Sequence, residues 1–176
     1  YKKNIYIFGE TLSKKVLSKN YINLNLKNKF YFSKTSAYLK LFLKNKNFLN
    51  SDLIEIHNRP LYVNIIKKRI DKKVFLYFHN DPLKMKGSKK ISERISLLRD
   101  CEKIIFNSLW CKNNFLKDLN DYRLSNKLIV IPQSTNKIKI DFKKKEKLIS
   151  FIGKLNTSKG YDLFGAAIIK ILDEFS

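Results

Sequence analysis

At 176 residues the chain is long enough for one domain and a little more, and with 44% apolar residues it can bury a real core. Its 37 basic against 15 acidic side chains give a net charge of +22, a balance that points to an anionic partner such as nucleic acid, anionic lipid or a phosphorylated substrate. The basic residues are spread along the chain among abundant Asn and Ile, so the composition of an AT-rich coding sequence accounts for much of that charge. No apolar run reaches the roughly 18 residues of a membrane-spanning helix. The opening YKKNIYIFGE lacks a signal-peptide pattern. Cys101 and Cys111, without metal-type spacing, read as reduced and partly buried thiols. A cytoplasmic protein is expected, with peripheral contact at the inner face of the cytoplasmic membrane. Tyr1 is no natural start, so the amino end reads as trimmed.

In chain order, NIYIF (4–8) reads as a strand and YINLNL (21–26) as a weaker one with period-two alternation. Residues 35–48 read as a helix with Tyr38, Leu41, Phe42 and Phe48 near one face. DLIEI (52–56) is a strand, and 60–70 a helix with Pro60 in its first turn. VFLYF (74–78) is the clearest strand, and Ser88 is expected to cap a helix carrying Ile91, Ile95 and Leu98. KIIF (103–106) is the next strand. Asn107 or Ser108 then caps a helix with Cys111, Phe115 and Leu119, and KLIVI (127–131) is a strand ended by Pro132. Residues 133–147 are polar and strongly basic, as in a linker. A further strand (148–152), loop and amphipathic helix follow, the helix showing Leu163, Phe164, Ala167, Ile168, Ile171 and Phe175. Strands alternating with helices predict an α/β fold, a Rossmann-like parallel sheet with helices on both faces. The expected division is one domain over 1–132, the linker 133–147, and the start of a second domain over 148–176.

In an open parallel sheet, ligands bind beyond the carboxyl ends of the strands. HNRP (57–60) follows the strand at 52–56, and HNDP (79–82) follows the strand at 74–78. These are the only two histidines in the chain, and both come directly after a strand and before an asparagine. His-Asn-X-Pro offers donors and acceptors on a turn that proline stiffens. It also fits two turns whose side chains satisfy their own backbone. The second candidate is GKLNTSKG (153–160), where glycines, Lys154 and Lys159 precede a helix start that can attract phosphate. A solvated turn fits it equally, and the residue order is not that of a P-loop. The chain has no Gly-x-Gly-x-x-Gly, Gly-x-Ser-x-Gly, Asp-x-Asp or RNP signature. Two histidines without neighbouring cysteine or acidic clusters make a poor zinc site. Trp110 reads as a packing residue.

The successive segments DLIEIHNRP, VFLYFHNDPLKMKG, EKIIFNSLWCKNNF, LIVIPQSTN and LISFIGKLNTSKGYDLFGAA resemble family 4 glycosyltransferases of the GT-B fold, in particular bacterial enzymes of lipopolysaccharide and other surface-glycan synthesis. The resemblance covers roughly 52–176 and is most specific in its last segment. It implies two Rossmann-like domains facing across a cleft, with the amino-terminal one on the acceptor side and the carboxy-terminal one holding a nucleotide-sugar donor. It implies that Gly153, Lys154, Lys159 and Gly160 meet the donor diphosphate, Lys154 standing where many relatives have arginine and so lacking the bidentate fork. Cations there stabilise the departing nucleoside diphosphate. His79 matches a cleft histidine at the reacting sugar and is the catalytic-site candidate, in a positioning and hydrogen-bonding role. Asn80 and Asp81 flank it, His57, Asn58 and Arg59 lie on the acceptor side, and Ser108 starts a helix at the cleft. The implied reaction is a retaining, hexosyl-type transfer without metal or other cofactor, from a nucleotide sugar to a glycan or lipid-linked acceptor.

The family's Glu-x7-Glu region has no counterpart in this chain, nor do its usual opening strand and glycine-rich loop. The expectation is therefore a piece of a longer enzyme, inactive by itself, with the apolar stripe of its last helix exposed unless another surface covers it. Nucleic acid is not an expected partner on this reading. Two other readings compete: a non-catalytic binding protein for anionic polymers such as RNA, and a degenerate GT-B scaffold in a synthesis complex.

Overall fold

The computed structural model describes residues 4–10, 18–26, 33–119, 125–135 and 149–175. The chain divides into two compact units, 1–134 and 135–176. Most of the expected linker lies outside the described residues.

The first unit is α/β, with a four-stranded parallel sheet flanked by helices, as the strand–helix alternation predicts. Its strands are β1 (Ile7–Gly9), β2 (Tyr21–Asn23), β3 (Leu53–His57), β4 (Lys73–Phe78), β5 (Lys103–Phe106) and β6 (Leu128–Val130). Its helices are α1 (Lys34–Leu43), α2 (Lys46–Leu49), α3 (Pro60–Lys67), α4 (Ile91–Asp100) and α5 (Leu109–Leu116). The sheet order is β3-β4-β5-β6, while β1 and β2 form a separate parallel pair.

Parallel register keeps paired residues on one face. Ile54 pairs with Val74, Ile56 with Leu76, Leu76 and Leu128 with Ile104, and Phe78 with Phe106. All are buried, in one core with Val63 and Ile66 of α3, Leu97 and Leu98 of α4, and Cys111 and Phe115 of α5. Each such side chain contributes about 1.5–3 kcal/mol by leaving water. The rings of Phe78, Phe106 and Phe115 meet pairwise at 5.4–5.7 Å, filling the core at the carboxyl end of the sheet. The alternate positions Glu55, His57 and Tyr77 belong to the opposite face.

Several expectations are corrected. The helix expected over 35–48 is two helices, because the Asn45 side chain accepts from the Asn47 N–H at 2.9 Å and starts α2 afresh. Ser88 is not a helix cap: it is fully buried, and its hydroxyl donates to the Pro82 carbonyl at 2.6 Å. Glu93 instead accepts from the Lys90 N–H at 3.0 Å at the start of α4. Ile91 and Ile95 are exposed, and α4 turns Arg94, Leu97 and Leu98 inward. Trp110 is also exposed rather than packed.

Arg94 explains the rotation of α4. Its guanidinium donates to the carbonyls of Phe115 at 2.5 Å, Lys117 at 2.6 Å and Asn114 at 3.5 Å. These are carbonyls at the end of α5, where backbone partners run out; that of Asn114 also accepts from the Lys117 N–H at 3.2 Å. Burial lowers the pKa of Arg94 from its usual value, with Asp118 opposing that shift. Lys127 serves α4 in the same way, reaching Leu98 and Cys101 carbonyls at 2.9 Å each, and Lys72 reaches those of Leu49 and Ser51. Part of the basic excess is thus spent inside the fold, closing helix ends.

The second unit contains a short 3₁₀ turn (Thr157–Lys159) and α6 (Tyr161–Phe175). The strand expected over 148–152 is not formed among its described residues, 149–152. A strand needs a hydrogen-bonded neighbour, and no described segment of this unit pairs with it. The Phe151 and Phe164 rings meet at 5.3 Å. The expected stripe of α6 is present in the sequence but not buried, with Leu163 and Phe175 largely exposed.

Two stability outcomes follow. Arg94→Met removes the guanidinium from the Phe115 and Lys117 carbonyls and is expected to cost about 2–4 kcal/mol in urea denaturation. Gly87 has φ +96, and a Cβ there would lie 2.5 Å from the Leu61 backbone nitrogen. Gly87→Ala is therefore expected to lower stability by at least ~1–2 kcal/mol, read from the same denaturation midpoint.

Candidate active site

The carboxyl ends of β3, β4, β5 and β6 bring together residues far apart in sequence. His57 ends β3 opposite Tyr77 of β4. Two residues beyond Tyr77, His79 continues the same face. The His57 Nδ1 and His79 Nε2 atoms are 2.7 Å apart. Their ring planes differ by 12° and their centroids are 5.1 Å apart. With nitrogens that close, this places the rings side by side in nearly one plane, joined edge to edge through a hydrogen bond.

Both outer nitrogens are engaged as well. His57 Nε2 meets Glu55 Oε1 at 2.8 Å, and His79 Nδ1 meets the Gln133 side-chain amide nitrogen at 2.9 Å. The result is a continuous chain, Glu55–His57–His79–Gln133. Tyr77 lies against both rings, at 4.2 Å from His79 and 5.5 Å from His57, and its hydroxyl donates to the Ile131 carbonyl at 2.7 Å.

Asn58, after His57, and Asn107, after β5, build the frame. Asn58 adopts φ 52, a left-handed conformation that asparagine tolerates better than most residues. This turns its side-chain oxygen to accept from the His79 backbone N–H at 2.7 Å, while its own N–H donates to the Tyr77 carbonyl at 2.9 Å. Asn107, after β5, donates its side-chain N–H to the His79 carbonyl at 2.8 Å. The His79 backbone is therefore clamped from both neighbouring strand ends. The Arg59 guanidinium donates to the Asn58 carbonyl at 3.2 Å.

The other expected site residues are placed differently. Asp81 accepts from the Leu83 N–H at 3.1 Å and from the Asn114 amide at 3.3 Å, which makes it a turn and helix contact. The Asn80 carbonyl accepts from the Cys111 thiol at 3.0 Å. Ser108 caps α5, accepting from the Cys111 N–H at 3.2 Å. Gly153, Lys154, Lys159 and Gly160 lie in the second unit, on the loop before α6. Both lysines are exposed there. Gly160 has φ +70, the left-handed conformation glycine adopts freely, and its carbonyl accepts from Phe164 N–H.

Glu55 and Gln133 are absent from the candidates the sequence offers. Glu55 sits two residues before His57, the period that shares a strand face, and Gln133 follows a strand end as the histidines do. Those are the signals that mark them.

Burial and the adjacent His57 lower the pKa of His79 from the ordinary 6.5, Glu55 acting against them. His79 is thus neutral at neutral pH. Cys111 is held protonated by burial and then by Asp81, and burial pushes Cys101 up to about 12, so neither thiol is a ready nucleophile. Among the described residues, no three His, Cys, Asp or Glu side chains are grouped to hold a metal ion, and no helix is long and apolar enough to cross a membrane.

Comparison of the chain with protein-family models, with curated proteins and with solved structures returns no match. The site is defined by its geometry.

A folded-state pKa below the unfolded value means that the unfolded chain binds the proton more readily. The contribution of His79 to stability is therefore complete above pH 6.5 and is lost as pH falls from there through the lowered folded value. Denaturation midpoints measured between pH 8 and pH 5 are expected to drop more for the wild type than for His79→Asn.

Proposed function

We propose that this chain is the acceptor-side domain and the beginning of the donor domain of a glycosyltransferase, moving a sugar from a nucleotide-sugar donor to a glycan or lipid-linked acceptor in surface-glycan synthesis. The observation that carries this reading is the joined His57–His79 pair at the carboxyl edge of a parallel sheet, where ligands of such folds bind. The sequence resemblance supports it independently, since it implicates the same two turns and the 153–160 loop.

In this reading the histidine pair and Arg59 offer hydrogen bonds to sugar hydroxyls. Neutral His79 suits that task, because it has both a donor and an acceptor nitrogen. Lys154 and Lys159 supply fixed positive charge for the leaving diphosphate, with Gly153 and Gly160 permitting the loop's course. The reaction needs no redox step and no residue acting as an oxidant. It is assigned to the cytoplasm, at the inner face of the membrane that holds a lipid-linked acceptor, where exposed lysines favour an anionic surface.

The test is turnover of a panel of nucleotide sugars by the protein expressed from its full gene. Release of nucleoside diphosphate is expected with at least one donor. His79→Ala and Lys159→Ala are each expected to lower kcat/KM about 10–100-fold in protein that still unfolds cooperatively at pH 8. No hydrolysis or transfer with any donor would remove this reading.

A further inference from the structure

The chain Glu55–His57–His79–Gln133 admits only certain arrangements of its hydrogens. The Glu55 carboxylate accepts, so His57 Nε2 carries a hydrogen. One hydrogen lies between His57 Nδ1 and His79 Nε2. A neutral pair has two ring hydrogens in all, and both are now placed. His57 already holds one, so the second belongs to His79 Nε2. His79 Nδ1 is left as a bare lone pair, and the Gln133 amide N–H donates to it.

We infer that Glu55 and Gln133 are positioning residues that hold His79 in its Nε2–H tautomer, with Nδ1 presented as a hydrogen-bond acceptor that Gln133 occupies until a substrate hydroxyl replaces it. Glu55 acts at a distance, through His57. The assignment of that hydroxyl to a sugar rests on the transferase reading; the order of the hydrogens does not.

The same count describes proton uptake. A third ring hydrogen cannot enter the central bond, which already has one. It must appear at His79 Nδ1, wherever the positive charge settles. Gln133 must then rotate its amide and accept through its oxygen. Protonation of the pair is thus coupled to the orientation of Gln133. Among the described residues, Tyr77 lies against both rings with its hydroxyl committed to the Ile131 carbonyl, and the Arg59 guanidinium donates to the Asn58 carbonyl. Neither breaks into the chain. Glu55 and His57 are each about half exposed, at 45% and 51%. Their contact therefore adds little to stability, and its effect falls on the tautomer instead.

The experiment is long-range ¹H–¹⁵N correlation of the imidazole rings in the uniformly labelled chain, from pH 8 downwards. In the wild type at pH 8, both histidines are expected as Nε2–H tautomers. Glu55→Gln can present an N–H to His57, which permits the reversed order. A second set of signals with Nδ1–H at both rings is expected, and the first protonation midpoint should fall by about one pH unit as the carboxylate charge is lost. Gln133→Leu is expected to keep both rings as Nε2–H, because the order is set from the Glu55 end. An Nδ1–H tautomer at His79 in the wild type, unchanged ring signals in Glu55→Gln, or reversal in Gln133→Leu would each overturn the inference. None of these readouts needs a substrate, so absence of glycosyl transfer would leave them intact.

Discussion

The register between β3 and β4 is the constraint on which the site depends. Pairing His57 with Tyr77 puts Glu55, His57, Tyr77 and His79 on one sheet face in successive steps. A shift of one residue would send the two histidines to opposite faces. The buried half of the same ladder fixes the register, since Ile54, Ile56, Val74 and Leu76 would leave the core with any slip. Hydrophobic burial thus determines where the polar groups meet. Asn58 then joins the two strand ends directly, through a backbone conformation that costs a larger residue more.

This arrangement separates stability from chemistry. Beneath the site, three phenylalanine rings and the Arg94 contacts hold β4, β5, α4 and α5 together. Above it, Glu55 and His57 are about half exposed, and their contact adds little to folding. Rigid elements carry a polar edge whose imidazole nitrogens each have a partner within the protein. The lowered pKa of His79 belongs to the same design, because it keeps one lone pair available at neutral pH.

The fold class was legible from alternation of short apolar runs with helical patterns, and the strands at 74–78 and 103–106 were placed within a residue. Helix faces were less legible. Apolar periodicity favoured Ile91 and Ile95, whereas α4 turns on the buried Arg94, whose partners lie about twenty residues away in α5. The repeated His-Asn after strand ends marked the site, and the structure joins the two histidines. Half of its polar chain was hidden. Gln133 meets His79 across 54 residues of sequence, and only the β5–β6 register reveals that approach. Asn58 and Asn107 satisfy backbone groups of His79 and in doing so hold its imidazole in place, whereas Asp81 and Ser108 serve a turn and a helix start.

The central claim is that the two histidines form one hydrogen-bonded unit. Its most direct test is the ¹⁵N–¹⁵N scalar coupling across the hydrogen bond between His57 Nδ1 and His79 Nε2, measured in the labelled chain at pH 8 and low temperature. A cross-peak linking the two rings is the predicted result. Two uncoupled rings that titrate independently of one another would contradict it.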